Sequence, residues 1–282
     1  MNNQFRRPFL YLTLLSITFW MLGCHTTKPV KVIAKAPATY IPVYNAQEHL
    51  VISTLFIQNA SEYRALCYQT WNTAISALDE IVRSSRFTKP PAIVLDIDET
   101  VLDNSPYTGY QIKYGQPFSP ITWKEWTDLA QADTIPGVGS FLQAVAKLHV
   151  EVFYVSNRKA NETAATIKNL QHFNLPNADT NHVFLRTDIS SKEPRRQRVR
   201  ETNAIVMLFG DNLNDIATDF ENKSTTDRNA QTDALSAHFG RNYFVLPNPI
   251  YGSWNSAIME YQRGLSPAAK DSIRHTKIRS FK

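Results

Sequence analysis

Along this chain of 282 residues the apolar positions fall into two kinds of block. Short, almost unbroken apolar runs at 92–95, 151–155, 182–185, 204–209 and 243–246 are read as buried strands, because a strand covered on both faces needs continuous rather than alternating apolar residues. Between them stand longer segments of helical period: 138–148, a helix capped by Asn161 and running to about 173, and a basic helix opened by Lys192. Strands alternating with helices predict an α/β domain with a Rossmann-like, mainly parallel central sheet. Before it, from Ala46, Cys67, Trp71, Ala74, Ile75, Leu78, Ile81 and Val82 recur at intervals of three and four and predict N-terminal helical structure packed beside the sheet. Cys67 lies on that face as a core thiol, with no cationic neighbour evident to stabilise a thiolate. Residues 108–134 hold Tyr110, Tyr114, Phe118, Trp123 and Trp126 among Gly and Pro. They are read as an irregular, aromatic-rich cap spanning about 105–135, or as a small satellite core. Residues 221–234 are read as a polar loop and 265–282 as a basic tail forming a surface helix.

The N-terminal end of the chain changes the picture of where it works. Arg6 and Arg7 precede an apolar run ending at Leu22-Gly23-Cys24, the pattern of a secretory leader over residues 1–23. Residues 24–45, with scattered Pro, Lys and Thr, read as a tether to a domain over 46–264. Net charge is +5, and loss of Arg6 and Arg7 leaves 28 basic against 25 acidic residues, about +3. That excess is too small to imply nucleic acid. Two cysteines, Cys24 and Cys67, give neither a disulfide framework nor a thiolate metal site.

The chemistry lies where the strands end. Asp96 follows the first strand and Asp98 can return to the same side two residues later, with Thr100, Asp103 and Asn104 in the same turn. Two carboxylates that close are tolerable if a cation neutralises them or one holds a proton. Ser156 and Asn157 follow the second strand. Lys192 opens a helix whose free amides suit an anion. Asp211 follows the fourth strand, and Asp215 stands one helical turn further on. In such a sheet these ends share one edge, and carboxylates without a His or Cys cluster suit a hard cation such as Mg2+ rather than zinc.

This constellation resembles the haloacid dehalogenase superfamily of phosphohydrolases. The stretches DIDETVLDNSPY, VFYVSNRK, SSKEPRR, GDNLND and LPNPIYGSW resemble the class C acid phosphatases, bacterial surface lipoproteins related to the 5′-nucleotidase lipoprotein of the outer membrane. The resemblance implies a haloacid dehalogenase core and a phosphoric monoester hydrolase. Asp96 would be the nucleophile and Asp98 the acid and base. Asp96, Asp211 and the Asp98 backbone carbonyl would hold Mg2+; Ser156, Asn157 and Lys192 would hold the phosphate; Asp215 would orient Lys192 or a metal-bound water. Nucleoside 5′-monophosphates and nicotinamide mononucleotide are the implied substrates, with Trp123 and Tyr251 as candidates for gripping a base. The lipobox-like ending implies acylation (palmitate) at Cys24, anchoring in the outer membrane outside the cytoplasm, and a homodimer is the candidate assembly. Two positions depart from the pattern: Ile189 stands where relatives often have a lysine, and Asn255 where an acidic residue commonly follows the tryptophan. Two other readings of the residues stand beside this one: a surface lipoprotein that binds haem or a host ligand, and phosphoryl transfer to an alcohol.

Overall fold

A computed structural model describes residues 45–282, so the leader, Cys24 and all but the last residue of the tether lie outside the described residues. A 3-10 turn, Glu48–Leu50, leads into α1 (Val51–Asn59) and α2 (Ser61–Ser84). Ala60 is extended (φ −77°, ψ 127°) and divides what the pattern reads as one helical stretch. The chain continues through β1 (Pro91–Leu95), α3 (Ser105–Tyr114), α4 (Pro120–Leu129), α5 (Val138–Lys147), β2 (Glu151–Lys159), α6 (Thr163–His172), β3 (Val183–Arg186) and α7 (Glu193–Thr202). It ends with β4 (Ala204–Gly210), α8 (Thr225–Ala234), β5 (Tyr243–Val245), α9 (Ser253–Ile258) and α10 (Pro267–Lys277).

The five strands form one wholly parallel sheet in the order β3-β2-β1-β4-β5, the α/β fold the alternation predicts. Each parallel neighbour needs a crossover, and these crossovers supply the helices that bury both faces. Strand side chains alternate between the faces, so Ile93 and Leu95 join one apolar layer and Ala92 and Val94 the other. The first layer is sealed by α2 and α5. Trp71 stacks on Phe141 at 4.9 Å, lies 5.7 Å from Phe209, and donates from Nε1 to the Pro136 carbonyl at 3.0 Å. Burial of one such side chain contributes roughly 1.5–3 kcal/mol. Cys67 is fully buried there, its thiol pushed up to about 11 chiefly by burial, as a packed core residue requires.

Four local expectations are corrected. The cap segment contains two helices, α3 and α4, with Gly115 closing the first at φ +62° and Ser119 capping the second by accepting from the Ile121 amide at 3.2 Å. Those stop and start residues are ordinary helix punctuation, which the density of aromatic residues obscures. Residues 221–234 contain α8, capped by Ser224, which accepts from the Asp227 amide at 3.1 Å. It is fixed by the buried Arg228, which donates to the Phe220 carbonyl at 2.7 Å, rather than by an apolar stripe, so no helical period shows. Asn161 does not cap α6. It lies inside a 3-10 turn, Ala160–Glu162, whose Glu162 carboxylate accepts from the Lys159 amide at 2.6 Å. Finally, β2 does not stop at Val155 but runs on to Lys159 after a shift in register, so Ser156 lies inside a strand.

Candidate active site

The strand order reverses between β1 and β4, and in open parallel sheets ligands bind beyond the carboxyl ends of the strands at that place. Leu95 pairs with Phe209, and the Asp96 amide donates to the Phe209 carbonyl at 3.0 Å, so Asp96 and Asp211 leave adjacent strands side by side. After Asp96 the chain turns tightly. The Ile97 carbonyl accepts from the amides of Thr100, Val101 and Leu102 at 3.3, 2.8 and 2.8 Å, and Glu99 is held at φ +56°. A left-handed residue other than glycine costs about 1–2 kcal/mol. Here the turn is fastened by the Glu99 carboxylate, which accepts from the Asn104 amide at 2.8 Å and from the Tyr251 hydroxyl.

One oxygen each from Asp96, Asp211 and Asp215 lies within 4.8 Å of the others. Lys192, 4% exposed at the start of α7, places its ammonium against Asp96 Oδ1 and 2.6 Å from Asp215 Oδ1. Asp215 Oδ2 accepts from the Asn212 amide at 3.1 Å, so both oxygens of Asp215 are engaged and the residue acts as the seat of the lysine. Gly210 makes room for this seat, since a Cβ there would fall 2.8 Å from the Asp215 carboxyl carbon.

The electrostatics follow from crowding charge in a dry place. Burial is the largest influence on Asp96 and pushes it up to about 7, with Lys192 opposing and Asp215 and Asp98 reinforcing. Asp211 is raised well above the carboxylate range by burial, then by Asp215 and Asp96. Glu99 is raised likewise, by burial and then by Asp98 and Asp211. Burial also works against the Lys192 ammonium, but Asp215 and Asp96 outweigh it and hold the group above its ordinary value.

Asp98 faces the same cavity and is held in place by three side chains. Arg158 grips its Oδ1 through Nε at 2.9 Å and Nη2 at 2.8 Å, Asn104 donates at 2.9 Å, and Ser156 donates to Oδ2 at 3.2 Å. Ser156 is therefore placed differently from the expectation. Its hydroxyl is fully buried inside β2, committed to Asp98 and to the Arg158 amide, and it is not part of the cavity wall. Asn157 does line the cavity, braced by Arg195, which donates to its Oδ1 at 2.8 Å and to the Ser156 carbonyl. Arg158, 3% exposed, is a site residue that sequence reasoning passed over although it stands in the quoted VFYVSNRK stretch.

The cavity has a volume of about 880 Å³, large enough for more than a phosphate group. Trp123 stands in its wall, edge-on to Tyr107 at 5.1 Å, with the Arg158 guanidinium 5.8 Å from its ring. Tyr251 lines the cavity from the loop after β5, 42% exposed with its hydroxyl bonded to Glu99. That loop is fastened to the acidic centre by Asn248, donating to Asp211 Oδ2 at 2.7 Å, and by Asn212, donating to Ser253 at 3.0 Å. Asn248 is a second residue that strand-end reasoning could not reach, since only folding brings it beside Asp211.

The residues fit a hard cation. The donors are oxygens alone, and an oxygen from each of Asp96, Asp211 and Asp215 comes within 4.8 Å of the other two. With Asp215 engaged by Lys192 and Asn212, the carboxylates left to serve as ligands are Asp96 and Asp211.

Comparison with known proteins agrees with this geometry. Residues 22–254 match the profile of the HAD superfamily, subfamily IIIB (Acid phosphatase). The class C acid phosphatase from Bacillus anthracis superimposes with a TM-score of 0.81 at 40% identity, covering 85% of this chain and 100% of that one, and a second structure of it, with tungstate bound, gives the same values. Acid phosphatase 1 from Solanum lycopersicum is 28% identical over 169 residues, or 56% of this chain, and the class B acid phosphatase from Enterobacter sp. (strain 638) is 30% identical over 139 residues, or 45%. The matched stretch spans 57% of the length of each of these two relatives.

Proposed function

Given that this chain belongs to subfamily IIIB of the HAD superfamily, the acid phosphatases, we propose that it hydrolyses phosphomonoesters through a phosphorylated Asp96 and depends on Mg2+. The observation that carries the reading is the meeting of Asp96, Asp211 and Asp215 within 4.8 Å around the buried Lys192. Asp96 attacks phosphorus, the bond from phosphorus to the leaving oxygen breaks, and water later splits the aspartyl-phosphate. Asp98, fixed by Arg158 and Asn104, gives a proton to the leaving oxygen and afterwards takes one from the attacking water. Lys192 and Asn157 hold the non-bridging oxygens, and positioning of this kind is most of the work in phosphoryl transfer. Mg2+, bound by the Asp96 and Asp211 carboxylates and the Asp98 carbonyl, would supply the positive charge that lets one anion approach another. The tungstate seen in the Bacillus anthracis enzyme is a phosphate-like oxyanion, in keeping with a phosphoryl site. Aromatic mononucleotides suit the wall of Trp123 and Tyr251, and acylation at Cys24 would hold the enzyme at a membrane surface outside the cytoplasm.

The metal requirement has a pH signature. Asp96 holds its proton more tightly folded, at about 7, than at the ordinary 3.8, so without metal the stability falls as pH rises between those values. A bound cation reverses that loss, and must displace a proton to bind below it. Thermal melting should therefore show a small Mg2+-induced rise at pH 5 and a larger one near pH 7.5, and EDTA should silence phosphate release until Mg2+ is restored. Full turnover in chelator, or a rise in melting temperature independent of pH, would remove the cation from this site.

A further inference from the structure

The cavity extends beyond the chain that the family profile matches. The profile ends at Trp254, yet Arg263 and, from α10, Lys270 and Arg274 line the same cavity as Asp96. The charges in its wall are segregated. All its acidic residues, Asp96, Asp98, Asp211 and Asp215, belong to the strand-end cluster, together with Lys192 and Arg158. The part built from α10 and the segment before it contributes cations alone. Arg274 shares its charge with Asp271 at 2.5 Å, whereas Lys270 and Arg263 enter no ion pair among the described residues. His49, which lines the same cavity, feels this field: its imidazole is pushed down first by burial and then by Arg274, with Asp271 partly opposing. Tyr107, Phe118, Trp123 and Tyr251 line the same cavity. A cavity that joins an anion-handling cluster, aromatic rings and a second group of cations is complementary to a molecule with an aromatic body and two anionic groups.

We propose that Lys270, Arg274 and Arg263 form a second anion subsite, which selects phosphomonoesters carrying a further phosphate as well as an aromatic base, such as a nucleoside 3′,5′-bisphosphate. The inference rests on the phosphatase reading above and adds the class of substrate. It also gives α10 a task at the site in place of that of a solvated surface helix.

The test compares three substrates on the purified chain: an aryl phosphate with no second anionic group, adenosine 5′-monophosphate and adenosine 3′,5′-bisphosphate. Contacts from one exposed and one partly buried cation are together worth roughly a tenfold change in KM. The wild type should show a KM roughly tenfold lower for the bisphosphate than for the monophosphate, and the difference should shrink as salt is added. The double variant K270A/R274A should abolish that difference while leaving the aryl phosphate kinetics within about twofold, and the charge-keeping K270R/R274K should retain it. Equal KM values for both nucleotides in the wild type, or equal effects of K270A/R274A on all three substrates, would overturn the subsite and leave the phosphatase reading standing. Absence of phosphate release from all three substrates would overturn both.

Discussion

Asp96→Asn should lower phosphate release by roughly 10⁴-fold or more while leaving the fold intact, as measured by phosphate assay and thermal melting on the same preparations. The amide has the shape of the carboxylate but is too weak a nucleophile to attack phosphorus. The fold should tolerate it because burial already disfavours the charge of Asp96, whose carboxyl is pushed up to about 7, and because Lys192 keeps Asp215 as a partner. Above pH 7 without metal the variant should melt no lower than the wild type. It should also lose most of the stabilisation by Mg2+, since one of the two available carboxylate ligands is gone. Activity above about one per cent of wild type would mean that another group strikes the phosphorus atom.

Lys192→Met should be the most damaging substitution for stability. The ammonium is the only cation paired with the Asp96 and Asp215 carboxylates among the described residues, and all three groups are buried. Breaking a buried ion pair by removing one partner costs about 3–5 kcal/mol, because the remaining charge is left in a medium that cannot solvate it. The loss should be largest near pH 8, where Asp96 must ionise, and smaller near pH 5, where Asp96 holds a proton. Turnover should fall as well, since a non-bridging oxygen loses its charged partner. Chemical denaturation at the two pH values checks the first claim. A penalty equal at both would mean that Lys192 acts through packing of its stem rather than through its charge.

The sheet was legible in the sequence because each parallel strand is covered on both faces and so leaves a continuous apolar run; β1, β3, β4 and β5 fall within about one residue of their predicted limits. The acidic centre was legible for a related reason. Strand ends of a parallel sheet share an edge, so Asp96 and Asp211 had to meet once β1 and β4 paired. What escaped is the layer of contacts that depends on side-chain direction. Ser156 follows an apolar run and reads as a strand-end hydroxyl, but β2 continues through it and turns it into the support of Asp98. Arg158, Glu99 and Asn248 are polar residues in or beside recognised motifs, and nothing in their spacing announces that folding will bury an arginine against Asp98, set Glu99 under Tyr251 or aim an amide at Asp211. The polar helix α8 escaped because a buried arginine, not an apolar stripe, holds it. The basic tail reads correctly as a helix, while its place over the cavity depends on tertiary packing that periodicity does not encode.

The central claim is that Asp96 carries the phosphoryl group, and the direct measurement is an acid-quenched single turnover with a phosphorus-labelled monoester, followed by peptide mapping and mass spectrometry. The account predicts label on the peptide containing DIDETVLDNSPY, fixed to Asp96, dependent on Mg2+ and absent from Asp96→Asn. Label on any other residue, or complete turnover with no phosphorylated peptide at quench times shorter than one catalytic cycle, would contradict it.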